Sequence, residues 1–519
     1  MNMAHTHSAP HPSARIVLLG SVFLVAACGL VYELVAGAVS SYILGDAVTQ
    51  FSLVIGVFLC AMGLGSYMAK FVRKNLLTVF IEVEIWIGLV GGGSSIAMFA
   101  ISAFAEAMFP VLFYALCAAI GVLIGIEIPL LVRILKESVD FSEALSHVLA
   151  LDYVGALAGS ILFPLVVLPY LGLSRASLVF GIMNLCVAGA GLALLKGSRK
   201  WMALRLAAAA LVLLTAMAYS VRLVGFLEDL LYQDSIIYAK TTPYQRIVMT
   251  RWRDDIRLYL NGNIQFSNID EARYHESLVM PAMEAAQDPQ QVLILGGGDG
   301  MAAREVFKYD SVRQVTLVDI DPEMTRLGQN RPELVALNQN SLNDPRMRIV
   351  NADAMGFIEK SREFYDVILI DLPDPNNETL SKLYSTAFYA LCARRLSHRG
   401  VMVTQATSPF YAPRAFWCIL RTMAAAVRED GSSQGLKPVP YHVNVPSFGE
   451  WGFVMASRRI LNPDRLGVSV PSRFLNSETL RSMFSFGKDV QPTEYVGINR
   501  LDQPVLYEYY KKGWNRFNE

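Results

Sequence analysis

The chain has 519 residues, 53% of them hydrophobic and 17% charged, with 45 Lys/Arg against 45 Asp/Glu. Residues 1–220 carry 11 Lys/Arg and 10 Asp/Glu, which leaves 34 and 35 for residues 221–519. That split excludes a single soluble globule and a disordered chain, and the zero net charge argues against a nucleic-acid binder, which needs a basic surface. None of the six cysteines forms a CxxC pair or has metal-ligand spacing. They are expected to be small buried hydrophobes rather than a disulfide or zinc framework.

A polar tail, residues 1–15 with His5, His7 and His11, is expected to be disordered and precedes seven apolar runs at 16–39, 52–67, 79–103, 109–132, 148–171, 176–195 and 201–219. Most are long enough to cross a hydrocarbon core, which takes about 20 helical residues. Residues 16–220 are therefore expected to form a bundle of about seven transmembrane helices in the cell membrane, with the lipid bilayer as partner. The first run is too long for a cleaved signal, and comparable runs follow it. Lys70, Arg73 and Lys74, then Arg133 and Lys136, then Lys196, Arg199 and Lys200 follow the second, fourth and sixth runs, whereas the alternate loops hold only Arg175. Basic loops stay cytoplasmic, which puts the N-terminus inside. Seven full crossings would then export the rest of the chain; a seventh run lying on the inner surface, with Arg205 in it, would not. The side stays open. Glu33, Glu82, Glu84, Glu127 and Asp152 fall within the runs. A charge at mid-membrane costs about 3 kcal/mol or more, so such groups mark either a cation path or interhelical hydrogen bonding.

From about Asp234 the pattern changes. Runs at 235–239, 246–250, 257–260 and 263–266, with Asn261-Gly262 between the last two, predict a small antiparallel sheet over 232–288. Strands at 291–295, 314–318, 347–350, 365–370 and 401–404 then alternate with helical stretches, the first at 302–309. This rhythm predicts a doubly wound, mostly parallel Rossmann-like sheet over 289–460, whose ligands sit at the carboxyl ends of the strands. Residues 461–519 read as a polar-aromatic extension with a packing role.

Several strand ends carry acids. Gly296-Gly297-Gly298-Asp299-Gly300 allows a tight turn and close backbone approach, but Met301 replaces the third glycine of a dinucleotide fingerprint. Asp319 ends the next strand, where an acid can bond ribose hydroxyls. Asp353, in Asn351-Ala352-Asp353-Ala354, is placed to accept from an adenine amine. Together these favour an adenosine-type ligand without a pyrophosphate, such as a sulfonium nucleoside. In Asp371-Leu372-Pro373-Asp374-Pro375 two carboxylates three apart can divide the work: one accepts a proton from an attacking amine and the other holds a cationic chain. With Asp299 they would draw in a polycation. A turn with Asp-Pro capping the next helix is the plainer reading of the same residues.

Across residues 232–457 the sequence resembles the spermidine synthase family of polyamine aminopropyltransferases, in the bacterial form with an added membrane domain. The likeness runs through Tyr244-Gln245, Gly262-Asn263-Ile264-Gln265, Asp270-Glu271, Tyr274-His275-Glu276, the glycine run, Val318-Asp319-Ile320-Asp321, Asp353-Ala354, Asp371 to Pro375, Tyr384-Ser385 and Pro446 to Phe453. It implies transfer of an aminopropyl group from decarboxylated S-adenosylmethionine, a cosubstrate and not a cofactor, to a diamine such as putrescine, with no metal. It further implies Asp371 as proton acceptor, His275, Asp299, Asp374 and Tyr274 at the amine, and Gln245, Asp319, Asp353, Ala354 and Gly297 at the nucleoside. Dimers or tetramers are expected from soluble relatives. The chain departs from the family pattern at Asn261, Met301, Asp319, Asn376-Asn377-Glu378 and Val445, and the last two leave the acceptor amine open. The alternatives are an S-adenosylmethionine-dependent methyltransferase on the same sheet, and a polyamine transporter or sensor whose soluble part binds without turnover.

Overall fold

The computed structural model describes residues 12–44, 47–105, 108–136, 140–195, 199–232, 234–426, 435–492 and 495–518. The chain divides into two compact units, Met1–Ile236 and Ile237–Glu519. Nearly all of the first unit is helix: α1 (Pro12–Leu44), α2 (Ala47–Ala69), α3 (Leu76–Phe104), α4 (Phe109–Leu135), α5 (Phe141–Leu162), α6 (Leu168–Leu194) and α7 (Lys200–Tyr232). Six helical runs are long and apolar enough to cross a membrane. One of them, Phe141–Leu194, spans 54 residues because a π-helical turn at Phe163–Val167 joins α5 to α6. It is broken at Gly172, whose φ of 70° and ψ of 175° no helix contains. The break falls between the fifth and sixth expected runs. Helix α1 begins at Pro12, inside the stretch expected to be a tail; the three tail histidines and Lys196 lie outside the described residues. Within the bundle α1 packs on α5, α2 on α4 and α3 on α6.

The second unit opens with a four-stranded antiparallel sheet in the order β1 (Ser235–Thr241), β2 (Arg246–Trp252), β3 (Asp255–Leu260), β4 (Asn263–Ser267). The Asn261-Gly262 turn has both φ values positive, 50° and 81°, as a two-residue hairpin of this twist requires. Helix α8 (Glu271–Ala286) leads into a seven-stranded sheet. Its strands are β5 (Gln291–Gly296), β6 (Gln314–Asp319), β7 (Met347–Asn351), β8 (Tyr365–Asp371), β9 (Leu396–Gln405), β10 (Lys437–Val445) and β11 (Gly449–Ser457), in spatial order β10-β11-β9-β8-β5-β6-β7. The first five are parallel, and β11 and β10 complete the sheet antiparallel. Helix α9 (Met301–Val306) follows β5 and α10 (Pro322–Asn330) follows β6.

The central strands are buried on both faces: Val292 to Leu295 and Val367 to Ile370 are fully covered by two apolar layers, as a parallel sheet between helices demands. Met301 shows why a third glycine is absent from the turn. It is buried with Ile247, Met249, Leu258 and Phe266, so its side chain fastens the small sheet to the start of α9.

Candidate active site

Chain order reverses between β5 and β8, because β6 and β7 lie on the other side of β5. A crevice at the carboxyl ends of such strands is where an open α/β sheet takes its ligand. There Gly296 pairs with Asp371. A Cβ on Gly296, at φ 88°, would lie 1.9 Å from the Asp371 carbonyl oxygen, and one on Gly297, at φ 66°, would lie 3.1 Å from Asp371 Oδ2. The glycine run is therefore what lets the two strand ends close on each other.

Helix α8 feeds the crevice from the side. Tyr274 Oη donates to Asp371 Oδ1 at 2.7 Å, and its ring packs edge-on against Phe448. Burial and the charge of Asp371 raise the Tyr274 phenol, so it stays a donor. His275, one residue on, is buried with Nδ1 2.9 Å from Glu271 Oε2. Arg304 on α9 clamps Glu271 through two nitrogens at 2.9 and 2.8 Å, and Arg473 joins them. Burial opposes the Glu271 charge, yet His275 and Arg304 hold the carboxyl well below the usual carboxylate range. Burial likewise opposes the imidazolium, and the Glu271 hydrogen bond and charge offset it, so His275 is raised. The fields of Asp299 and Asp371 act on His275 in the same direction.

Asp371 itself is pushed up to about 6, mainly by desolvation, with Asp299 raising it further while His275 and the Tyr274 hydroxyl pull it down. Asp299 Oδ1 accepts from the Met301 amide at 2.8 Å. Desolvation also pushes Asp374 up to about 6; Gln405, Tyr510 and Thr407 are its polar neighbours. Its Oδ1 is buried with no hydrogen-bond partner among the described residues. Thr407 has a φ of 55°, which a β-branched side chain adopts only under strain.

Toward β6, Asp319 Oδ2 accepts from the Gly298 amide at 3.1 Å and Oδ1 from the Asp321 amide at 2.8 Å. Desolvation, with the charges of Asp321 and Asp299, pushes Asp319 up to about 7. Gln245 arrives from the loop before β2 and donates to Asp321 Oδ2 at 3.0 Å. After β7, Asp353 caps the helix Ala354–Lys360 through the Gly356 amide at 2.8 Å, with Lys382 Nζ 3.7 Å from its other oxygen. Ala354 is buried behind it. The structure thus gathers Tyr274, His275, Asp299 and Asp371 at one strand end with Asp374 on the adjoining loop, and Gln245 and Asp319 at the next strand. Asp353 and Ala354 stand one strand further along.

Residues 271–461 match the Spermine/spermidine synthase domain family. Polyamine aminopropyltransferase 1 of Ralstonia nicotianae is 46% identical to this chain, over 98% of this chain and 97% of its own. The chain belongs to the polyamine aminopropyltransferases. The polyamine aminopropyltransferase of Leptospira interrogans is also 46% identical, over 96% of this chain and 98% of its own. A crystal structure of spermidine synthase from Thermotoga maritima aligns with 49% of this chain and 86% of that one, at 27% identity and a TM-score of 0.43.

Reading the sequence of this aminopropyltransferase assigns no role in the cleft to three of its supports. Tyr384 Oη reaches the carbonyls of Pro373 at 2.9 Å and Leu372 at 3.2 Å, and Gln405 Nε2 donates to Leu372 O and to Tyr384 Oη. Together they fix the loop that carries both aspartates. Arg304 and Glu271 form the second support, set 33 residues apart with no local pattern to join them. Tyr510, on the helix Val505–Asn518, is the third. That helix is held where Trp514 stacks on Tyr411, with ring centroids 4.9 Å apart, and where Gly513 meets Ala412. Only the cluster of tyrosines near the C-terminus could have drawn attention to it.

Proposed function

We propose that the cleft transfers an aminopropyl group from decarboxylated S-adenosylmethionine to putrescine or a similar diamine, giving methylthioadenosine and spermidine or its homologue. Asp371 is the observation that carries this reading: a half-buried carboxylate raised to about 6 and oriented by Tyr274. A primary ammonium near pKa 10 must lose a proton before it can attack, and a base at 6 narrows that gap by about 2 units relative to an ordinary aspartate, worth about 3 kcal/mol. Asp371 takes the proton. The nitrogen lone pair then forms a bond to the methylene beside the sulfonium, the carbon–sulfur bond breaks, and its electrons leave on sulfur as a neutral thioether.

Asp374 holds the distal ammonium. Its unpartnered buried Oδ1 is an acceptor awaiting a donor, and Tyr510 and Gln405 shape the wall around it. Asp299 and His275 complete the amine end. Asp319 takes the ribose hydroxyls, Gln245 lines that side through Asp321, Gly297 gives the donor close access to the backbone, and Asp353 with Ala354 meets the adenine edge. Positioning of two bound substrates supplies much of the acceleration.

The first unit serves as a multi-pass anchor in the cell membrane. Its outward-facing side chains include Leu53, Leu59, Leu157, Leu165 and Leu211, all exposed in the chain alone, which suits contact with lipid. Self-association into dimers or tetramers belongs to the same reading. The test uses purified full-length protein with the decarboxylated donor and a panel of diamines, read by mass spectrometry. Equimolar methylthioadenosine and lengthened polyamine are expected, and Asp371→Asn should lower the rate by about 10²–10⁴-fold. Reaction of only the carboxylated donor with release of S-adenosylhomocysteine, or an Asp371→Asn enzyme within a few-fold of wild type, overturns the reading.

A further inference from the structure

The helical unit contains a polar centre that aminopropyl transfer does not use. Glu84 on α3 and Glu127 on α4 are both completely buried, and the described part of that unit buries no Lys, Arg or His. Glu84 Oε2 accepts from Asn184 Nδ2 at 2.8 Å, and Asn184 Oδ1 in turn accepts from Tyr32 Oη at 2.9 Å. Side chains from α1, α3, α4 and α6 therefore meet at one place. Glu84 Oε1 and both oxygens of Glu127 have no donor among the described residues, although the two carboxyl groups lie within hydrogen-bonding reach of each other. Cys28 and Tyr32 on α1 and Asp152 on α5 are the other titratable groups whose charges interact with the pair, and none brings positive charge.

Two carboxylates without a cation cannot both stay ionised in such surroundings; like charges at contact in a medium of low polarity force a proton onto one of them. The Asn184 amide settles which one. It already donates to Glu84, which stabilises Glu84 as the acceptor, while Glu127 has only Glu84 to bond among the described residues. The packing leaves little space for anything larger. A Cβ on Gly91 would lie 2.8 Å from the Tyr32 ring, and one on Gly88 2.9 Å from the Gly181 carbonyl oxygen, so α3 touches its neighbours along the face that carries Glu84.

We propose that Glu84 and Glu127 form a proton-binding site inside the helical unit, in which Glu127 donates a single exchangeable proton to the Glu84 carboxylate. The singly protonated pair carries one negative charge, and uptake or loss of a proton changes the charge at the heart of the bundle. This is a function of the unit separate from catalysis, and its failure would leave aminopropyl transfer untouched.

Infrared spectra of the full-length protein in lipid vesicles test it at about pH 8, where carboxyls that titrate near 6 in the cleft are ionised. A carboxylic C=O band that shifts in D2O is expected for wild type. Glu127→Gln should remove it, and Glu84→Gln should keep it at the frequency of an unshared acid; both variants should keep wild-type methylthioadenosine release. A band of equal strength in wild type and Glu127→Gln overturns the proposal. So does its replacement by a carboxylate signal on adding sodium or putrescine, which would make the pair a cation site. If Glu127→Gln does not fold, the wild-type D2O shift and the Glu84→Gln frequency still decide, since absence of the band in both sinks the proposal.

Discussion

Replacing Tyr274 with Phe removes one hydroxyl and one hydrogen bond, the 2.7 Å contact to Asp371 Oδ1. A hydrogen bond to a charged group is worth about 1.5–3 kcal/mol, and each pKa unit corresponds to about 1.4 kcal/mol. The bond lowers the Asp371 pKa, so its loss must raise it, by about 1–2 units on those figures. From a starting value of about 6, the base would titrate at neutral pH or above. Because Asp371 must be ionised to accept a proton, kcat/KM for the amine, which reports the free enzyme, rises with pH through that value. The assay is methylthioadenosine release at limiting amine and saturating nucleoside, measured across pH. The acid limb of the Tyr274→Phe profile should move to higher pH by about 1–2 units, with a lower plateau as the carboxylate loses its orientation. Asp374 also titrates at about 6, but among the described residues the Tyr274 hydroxyl bonds only Asp371. An acid limb that stays where it is, or moves to lower pH, therefore refutes Asp371 as the group that controls turnover.

Tyr510→Phe should raise KM for the amine by about tenfold, the effect of one lost hydrogen bond near a charge, and leave KM for the nucleoside unchanged, read from initial rates against each substrate. Glu271→Gln should cost about 3 kcal/mol of stability at neutral pH by taking from the buried Arg304 and His275 the carboxylate they share, with Glu305 still pairing Arg304, read as a lower thermal midpoint. The sign with pH follows from the depressed Glu271 carboxyl: its contribution is present above an unfolded value of roughly 4.3 and is lost as pH falls through the lower folded value. The difference between wild type and variant should therefore persist into mild acid and shrink only in strong acid.

The cleft was legible where its chemistry coincides with strand ends. Asp319 and Asp371 close β6 and β8, and a doubly wound sheet brings such ends to one edge whatever lies between them in sequence. The antiparallel pair at the other edge was not legible. Strand β10 contains Pro438 and Pro440, which argue against a strand unless it lies at an edge, and β10 does. Strand β11 begins with Gly449 and contains Gly452, whose added Cβ would lie 2.4 Å from the Phe416 ring; only the packed neighbour explains that glycine. The buttresses were hidden for a different reason. Asp270 holds the Ser447 amide and hydroxyl across 177 residues, and Glu276 accepts the Arg473, Phe474 and Leu475 amides across nearly 200. No periodicity records contacts made that far along the chain. Residues 461–519, expected only to pack, supply Arg473 to Glu271 and Tyr510 to the neighbourhood of Asp374.

The carboxylates of the cleft repel one another, since Asp299 raises both Asp371 and Asp319. A bound diammonium reverses the sign of that interaction: each ammonium that settles against a carboxylate favours its ionised form. Amine binding should then draw protons off Asp371 and Asp374, and by linkage it must weaken as pH falls through about 6, where those groups take protons up before substrate binds. His275 works against the crowding from the protein side. Its raised imidazolium, held by Glu271, already lowers Asp371 before any substrate arrives. The clamp on Glu271 thus has a chemical consequence beyond stability: it keeps enough positive charge beside the base for Asp371 to be ionised at neutral pH, ready for an amine that arrives protonated.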